Sequence, residues 1–465
     1  MIKDMTRGNT LKLILLFSIP ILIGNIFQQL YQLADIFIVG RLLGANALAA
    51  VGASSPVYFM FLIIAFSFTG GLTAVTAQRF GAKDYAGVRS SVTHSIRASF
   101  VLSLILSATL VGGLHPIMHI LNVPKEIYED SYNFIFILGS GMVLLVAFNL
   151  LSGFIRALGD SKTPLYFLIF SSLLNILFNF ILIKYLNFGV IGSAVGTVIA
   201  IAFSVICCIF YINRNYPILR LQKEDWRYDK AFMREHLNIA IPMSIQFSIL
   251  SLSIMVIQAV CNSFGAEIIV GFTIALRIEQ LGTQPLLALG MSLATFVAQN
   301  FGAGKVTRIR DGVRKTSLLS LLISVVLSAF ILTYGKPLIG SFLSEPTLLS
   351  VSVGATYLSI SIMFYFFLGM IFIFKNTLQS IGKPFYPVLS GFIELGIRSF
   401  AAIILAQKIG YEGIFYASPL AWVGGATVVF IGYYLNVYKR KDKIIAEYKA
   451  QSQIRRKRKA ARQSI

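Results

Sequence analysis

Apolar runs of about twenty residues recur along this 465-residue chain, and a helix needs about that many to cross the hydrocarbon core of a bilayer. A soluble domain covers its surface with charge, about a quarter of its residues; here 13% are charged and 56% hydrophobic, with a mean hydropathy of +0.77. A soluble enzyme with a single buried core has no use for so many such runs. The apolar segments cover 12–39, 47–74, 90–113, 131–155, 164–186, 190–212, 237–262, 268–300, 316–340, 350–374, 386–407 and 413–437. They predict an all-α membrane protein with twelve transmembrane helices, several of them long enough to require tilt or bending.

The net charge of +21 points away from nucleic acid once its placement is followed. The outer loops carry Arg41, Lys125, Lys184, Lys336 and Lys408, and Arg97, Arg277 and Arg398 fall within spans. The other lysines and arginines lie on inner segments if both termini are inside, as the positive-inside rule requires. The longest polar stretch, with Arg214, Arg220, Lys223, Arg227, Lys230 and Arg234, separates two halves. The expected organisation is therefore an N-terminal six-helix lobe over 1–213, a basic cytoplasmic linker over 214–235, a C-terminal six-helix lobe over 236–438, and a basic cytoplasmic tail over 439–465. Such a tail suits solvent or a lipid surface. Cys207, Cys208 and Cys261 lie in apolar segments, and the four histidines have no metal-ligand spacing. The charged first nine residues precede an apolar segment without a small-residue cleavage site, which reads as a retained first helix.

The halves are copies of one another. Ala77-Gln78-Arg79-Phe80-Gly81-Ala82 is matched by Ala298-Gln299-Asn300-Phe301-Gly302-Ala303, at an offset of 221, and Gly44-Ala45 by Gly265-Ala266 at the same offset. Ile19-Pro20 matches Ile241-Pro242 at 222, and Gly159 and Pro164 match Gly382 and Pro387 at 223. Six spans per repeat is an even number, so both lobes enter the membrane in the same direction. They should be related by a pseudo-two-fold axis along the membrane normal, with a substrate path at their interface.

Pro20 followed fifteen residues later by Asp35, then Val39-Gly40 and Gly44, resembles the first helix of the multidrug and toxic compound extrusion (MATE) transporters. The Ala77 block, its copy at Ala298, and Arg156-Ala157-Leu158-Gly159-Asp160 before the fifth span are also similar to that family. The resemblance spans essentially the whole chain. It implies a plasma-membrane antiporter that exports organic, often cationic, compounds in exchange for protons or sodium. The expected partners are small organic substrates and membrane lipids, with no nucleic acid, no cofactor beyond the coupling ion, and a monomeric chain.

Ionisable groups inside a membrane are costly and mark function. Gln28, Tyr31, Gln32 and Asp35 share one helical face by their spacings of three and four, so that face should look into a substrate cavity. By residue counting, Asp35 sits about one turn from the outer end of its helix, at a depth similar to that of Asn179 and Thr197. One carboxylate with amide and hydroxyl oxygens suits a proton or a small hard cation such as sodium. The resemblance implies that Asp35, Asn175, Asn179 and Thr197 form the coupling-ion site; some members of the family carry a second acid where this chain has Asn179. A carboxylate taken out of water binds a proton more readily, and Pro20 disfavours a straight helix, so Asp35 is the expected exchange residue and Pro20 the hinge. A capping role for Asp35 near the outer surface is the plain structural alternative, and helix-to-helix hydrogen bonding is that for the asparagines.

Glu394 and Arg398, four apart in the eleventh span, can pair, either as an anchor or as a cavity-lining pair. Arg277 and Glu279, two apart, cannot share a face and would partner other helices. The seventh and tenth spans carry no acid. A flippase for lipid-linked saccharides or other amphiphiles shares the general architecture and is the alternative function. No nucleophile–base arrangement, catalytic carboxylate pair or Walker-type loop is present, so no enzyme activity is expected.

Overall fold

In hydrocarbon a backbone N–H or C=O finds no water, so each spanning segment must satisfy its own hydrogen bonds. The computed structural model of the chain describes residues 3–120, 123–342 and 347–439, and among them every regular element is helical. These are α1 (Thr10–Leu43), α2 (Ala45–Gly81), α3 (Tyr85–Gly112), α4 (Leu114–Ile120), α5 (Lys125–Ser140), α6 (Met142–Ala157), α7 (Lys162–Phe180), α8 (Gly189–Asn215) and α9 (Lys230–Cys261). They continue as α10 (Ala266–Gly282), α11 (Gln284–Gly302), α12 (Val306–Ser341), α13 (Leu348–Ile362), α14 (Tyr365–Ser380), α15 (Phe385–Ile409), α16 (Glu412–Phe415) and α17 (Ala417–Tyr433).

Among the described residues ten helical segments are long and apolar enough to cross a membrane, and two bent pairs bring the number to twelve. The all-α class read from the sequence is found, and the number of spans matches the expected twelve when each bent pair is one span. The bent pairs are α5–α6, at 46°, and α13–α14, at 53°. The first bend falls at Gly141 and the second at Met363–Phe364, an offset of about 222, so the repeat extends to the kinks.

The chain divides into two compact units. Unit 1 holds Ile19–Arg79 and Asp84–Ser244 with the chain's first residues, through Lys3; unit 2 holds Asp4–Ser18, Phe80–Lys83 and the chain from Ile245 onward. In unit 1, α8 packs on α5, α6 and α7, and α3 packs on α5 and α6, around a core that includes Val39, Ala65, Leu110, Leu114, Ile135 and Met142. In unit 2, α15 packs on α17, α14 on α11 and α17, and α13 on α10 and α12. Outward faces stay apolar: Phe100, Val101, Leu104 and Ile105 on α3, and Leu318, Leu322, Val325 and Val326 on α12, are exposed. Patches of this extent would drive association in water and match lipid instead.

The segment expected as a basic linker is folded onto α3. Arg89 pairs with Asp225 at 2.9 Å, the Thr93 hydroxyl donates to the Asp225 carbonyl at 2.7 Å, and Arg97 donates to the Trp226 carbonyl. Of the basic tail, all but Lys439 lies outside the described residues.

The Arg156-Ala157-Leu158-Gly159-Asp160 block is a turn that starts α7. Gly159 has φ +85°, and a Cβ there would lie 2.0 Å from the Lys3 carbonyl oxygen, so the position needs glycine; its repeat partner Gly382 also has positive φ, +75°. Buried Asp160 accepts from the backbone N–H groups of Lys162 (3.0 Å) and Thr163 (3.1 Å), the Thr163 hydroxyl (2.9 Å) and the Tyr216 hydroxyl (2.8 Å). Burial alone would raise its carboxyl, but these bonds outweigh burial and hold it below the usual carboxylate value. Asp160→Ala should cost ~2 kcal/mol, the upper range for a lost cap, read as a lower thermal-unfolding midpoint in detergent. The contribution is present in full above the ordinary Asp range and lost as pH falls through the lowered value. The wild-type advantage over the Ala variant should therefore vanish only in acid.

Candidate functional site

In unit 1, α1 reaches Leu43, so Asp35 lies two turns inside the helix end rather than one. Asp35 is half-buried and faces α7 and α8. Asn179 of α7 donates through Nδ2 to the Asp35 carboxylate and to Asn175 Oδ1, the latter at 3.1 Å. Asn175 donates to the Thr197 hydroxyl at 2.7 Å, and Thr197 donates to the Ser193 carbonyl at 3.0 Å. Tyr31 reaches the Thr197 hydroxyl from α1 and lies within electrostatic range of Asp35 and Tyr58. Asp35, Asn175, Asn179 and Thr197 thus meet in one cluster, with Tyr31 at its edge. Gln28 and Gln32 are half-buried on the same helix.

Sequence reasoning missed Ser193, whose hydroxyl donates to Asp35 at 3.4 Å. Its spacing of four from Thr197 on α8 was the available signal. The cluster is built from oxygens: one carboxylate, two amide carbonyls and two hydroxyls. Asn179 is fully buried, yet its Oδ1 has no hydrogen-bond partner. Gly196 leaves the space for that oxygen, since a Cβ there would lie 2.2 Å from it. Hard cations and protons are the ligands such a donor set takes.

Unit 2 departs from expectation. Glu394 and Arg398 share the buried face of α15 but do not bond each other. Glu394 pairs with Lys375 of α14 at 2.6 Å and accepts from the Ser390 hydroxyl at 2.8 Å, while Arg398 donates to the Ser253 hydroxyl at 2.6 Å. The reason is Lys375, which was assigned to an inner segment because the apolar run stops at Phe374. The helix continues to Ser380 and buries the ammonium, 8% exposed, against Glu394. Glu279 of α10 is buried and accepts from the Tyr357 hydroxyl of α13, a partner on another helix as its spacing from Arg277 required. Gln379 donates to Gln246 at 2.6 Å.

A family model for MatE matches residues 20–181 and again 242–405, once per repeat. The chain belongs to the MATE family. It is 26% identical to the probable multidrug resistance protein YpnP of Bacillus subtilis over 435 residues, covering 92% of this chain and 96% of that protein. It is 25% identical to the multidrug export protein MepA of Staphylococcus haemolyticus, covering 89% and 91%. Its fold is that of a multidrug resistance MATE family transporter of the MOP superfamily solved in an outward-facing conformation, with a TM-score of 0.86 at 22% identity and 95% and 98% coverage. This MATE chain is a multi-pass membrane protein whose two matched segments each contain a buried polar cluster: Asp35 with its amides in one, and Glu279, Lys375, Glu394 and Arg398 in the other.

Removing one member of a buried ion pair leaves an uncompensated charge, at about 3–5 kcal/mol. Lys375→Met should therefore destabilise the protein strongly in a detergent melt, and adding Glu394→Gln should recover most of the loss. A double variant as unstable as the single one would show that packing, not charge, holds the site.

Proposed function

We propose that this chain is a secondary active multidrug exporter in which Asp35 exchanges a coupling cation, a proton or sodium, against the exported compound. Export of small organic compounds is supported by full-length relatives called multidrug resistance and multidrug export proteins. The observation that carries the site is a carboxylate on the polar face of a membrane-length helix, which accepts from the Asn179 amide of α7 and the Ser193 hydroxyl of α8 beside the Asn175–Thr197 pair. An acid at that depth is expensive unless it does work.

Asp35, Asn175, Asn179, Thr197 and Ser193 bind the cation. Its arrival removes the negative charge that holds a bound organic cation, and its departure restores that charge. Each ion therefore drives the ligand off in one direction, which is what an antiporter requires. Gln28, Tyr31 and Gln32 extend the polar face of α1 toward the exported compound. Pro20 has no N–H to donate to the Leu16 carbonyl, so α1 bends there as Asp35 changes charge. The excess of lysine and arginine on the inner segments supports cytoplasmic termini, and the family supports the plasma membrane. One chain carries both repeats, so a monomer suffices.

Asp35→Asn keeps the size of the side chain and removes its titration. Ethidium export from vesicles driven by an imposed proton or sodium gradient should fall at least about tenfold in this variant. Export at the wild-type rate under both gradients would remove Asp35 from the exchange, and the gradient that supports wild-type export names the ion.

A further inference from the structure

The stretch that joins the two repeats sorts its charges by face. Arg214, Arg220, Lys223, Arg227, Lys230 and Arg234 are all exposed. The acids of residues 214–235 turn the other way. Asp225 is buried; its carboxylate pairs with Arg89 of α3 at 2.9 Å and accepts from the Gln222 backbone N–H at 2.8 Å. Half-buried Asp229 accepts from the N–H groups of Ala231 (3.0 Å) and Phe232 (3.2 Å) at the start of α9. Half-buried Glu235 pairs with Arg79 of α2 at 2.5 Å. Glu224 alone among these acids is exposed. Six cations thus face outward against one carboxylate, because the other acids are engaged in fixing the segment to unit 1.

The segment is also held at a defined height on α3. The Trp226 carbonyl accepts from Arg97, whose guanidinium lies over the Trp226 and Tyr228 rings, 5.6 Å and 5.8 Å from their centroids. Arg97 falls inside the apolar run 90–113, and the next turn of α3 opens its lipid-matching face with exposed Phe100 and Val101. The two rings therefore stand where hydrocarbon gives way to headgroups, the level at which Trp and Tyr collect in membrane proteins. Both keep an open side, Trp226 at 43% and Tyr228 at 61% exposed. Sorting of lysine and arginine to the inner side of a bilayer accounts for the number of cations here. It does not account for acids turned inward beneath them, or for two half-open rings at their edge.

We propose that the segment joining the repeats is a docking surface for anionic phospholipid of the inner leaflet. Trp226 and Tyr228 sit among the glycerol and upper acyl groups, and Arg220, Lys223 and Arg227 bind the phosphates. A guanidinium takes phosphate oxygens two at a time and an ammonium takes them as a point charge. The cation-only face favours headgroups of net negative charge over zwitterionic ones, whose own cation meets the same repulsion. The backing on α3 contributes too: Pro217–Leu219 and Lys223–Trp226 are folded as 3-10 turns, so less freedom is lost on binding than in a free basic tail. This surface is independent of what the protein exports.

Trp226 is one of two tryptophans, and the other, Trp422, is buried, so Trp422→Phe leaves Trp226 as the sole reporter. The full chain with this change is placed in vesicles of phosphatidylcholine and phosphatidylglycerol, with bromine near the headgroup end of the acyl chains of one lipid or the other. At equal mole fraction, brominated phosphatidylglycerol should quench Trp226 at least about twofold more than brominated phosphatidylcholine, and added salt should lower that ratio. Arg220→Gln, Lys223→Gln and Arg227→Gln together should bring the ratio to about one. Equal quenching by the two lipids before these changes, or a preference that survives them, overturns the proposal. So does a Trp226 that neither brominated lipid quenches; a change in its emission on adding an oligonucleotide would then assign the face to nucleic acid. Should Trp422→Phe not fold, the difference between wild type and Trp226→Phe gives the same signal, judged by the same outcomes.

Discussion

Polar groups in hydrocarbon have no solvent to fall back on, and this one constraint organises the molecule. It makes every span a helix, because only a helix satisfies its backbone internally. It also removes the usual driving force for packing apolar faces, since lipid is as apolar as leucine. What remains to specify the interior is a small set of polar side chains that must find one another. In unit 1 these are Asp35, Asn175, Asn179, Ser193 and Thr197. In unit 2 they are the Lys375–Glu394 pair and the Glu279–Tyr357 and Arg398–Ser253 contacts.

The architecture was legible because hydropathy and the repeat carry it directly. Runs of apolar residues set the spans, and the constant offset between the Ala77 and Ala298 blocks set two matching halves. The members of the Asp35 cluster were legible because spacings of three and four put them on shared helical faces, although residue counting set Asp35 one turn too near the end of α1. Ser193 was hidden because a serine on a helix is cheap and common, and nothing in its neighbours singles it out. The charges of unit 2 were misread for a different reason. Spacing says which residues share a face, not which partner on another helix stands closer, and Lys375 of α14 outcompetes Arg398 for Glu394. Lys375 itself lies where the apolar run ends, so hydropathy leaves it out of the span while helix packing buries it against Glu394.

The two units show how one scaffold can be recharged. Position 175 is an amide in the first repeat and its equivalent, 398, is a guanidinium in the second. Position 171 is a hydroxyl and its equivalent, 394, is a carboxylate. An isolated ion in this medium costs several kcal/mol, which a partner of opposite sign offsets. Lys375 supplies that partner to Glu394 at 2.6 Å. Arg398 has a neutral partner instead, the Ser253 hydroxyl at 2.6 Å.

Where the units divide also bears on how a change of charge becomes a change of shape. The boundary on α1 falls between Ser18 and Ile19, and that on α9 between Ser244 and Ile245; Pro20 and Pro242 each stand two residues from these points. An interior proline breaks one hydrogen bond of the ladder and crowds the preceding turn, so each of these helices lacks a ladder bond close to the unit boundary. Asp35 lies four turns beyond Pro20 on the unit 1 side. The hydrogen bonds of Asp35 with α7 and α8 thus fall on the part of α1 that belongs to unit 1. The same sequence feature that marks the repeat, a proline inside the first helix of each unit, thus falls beside the boundary that divides them.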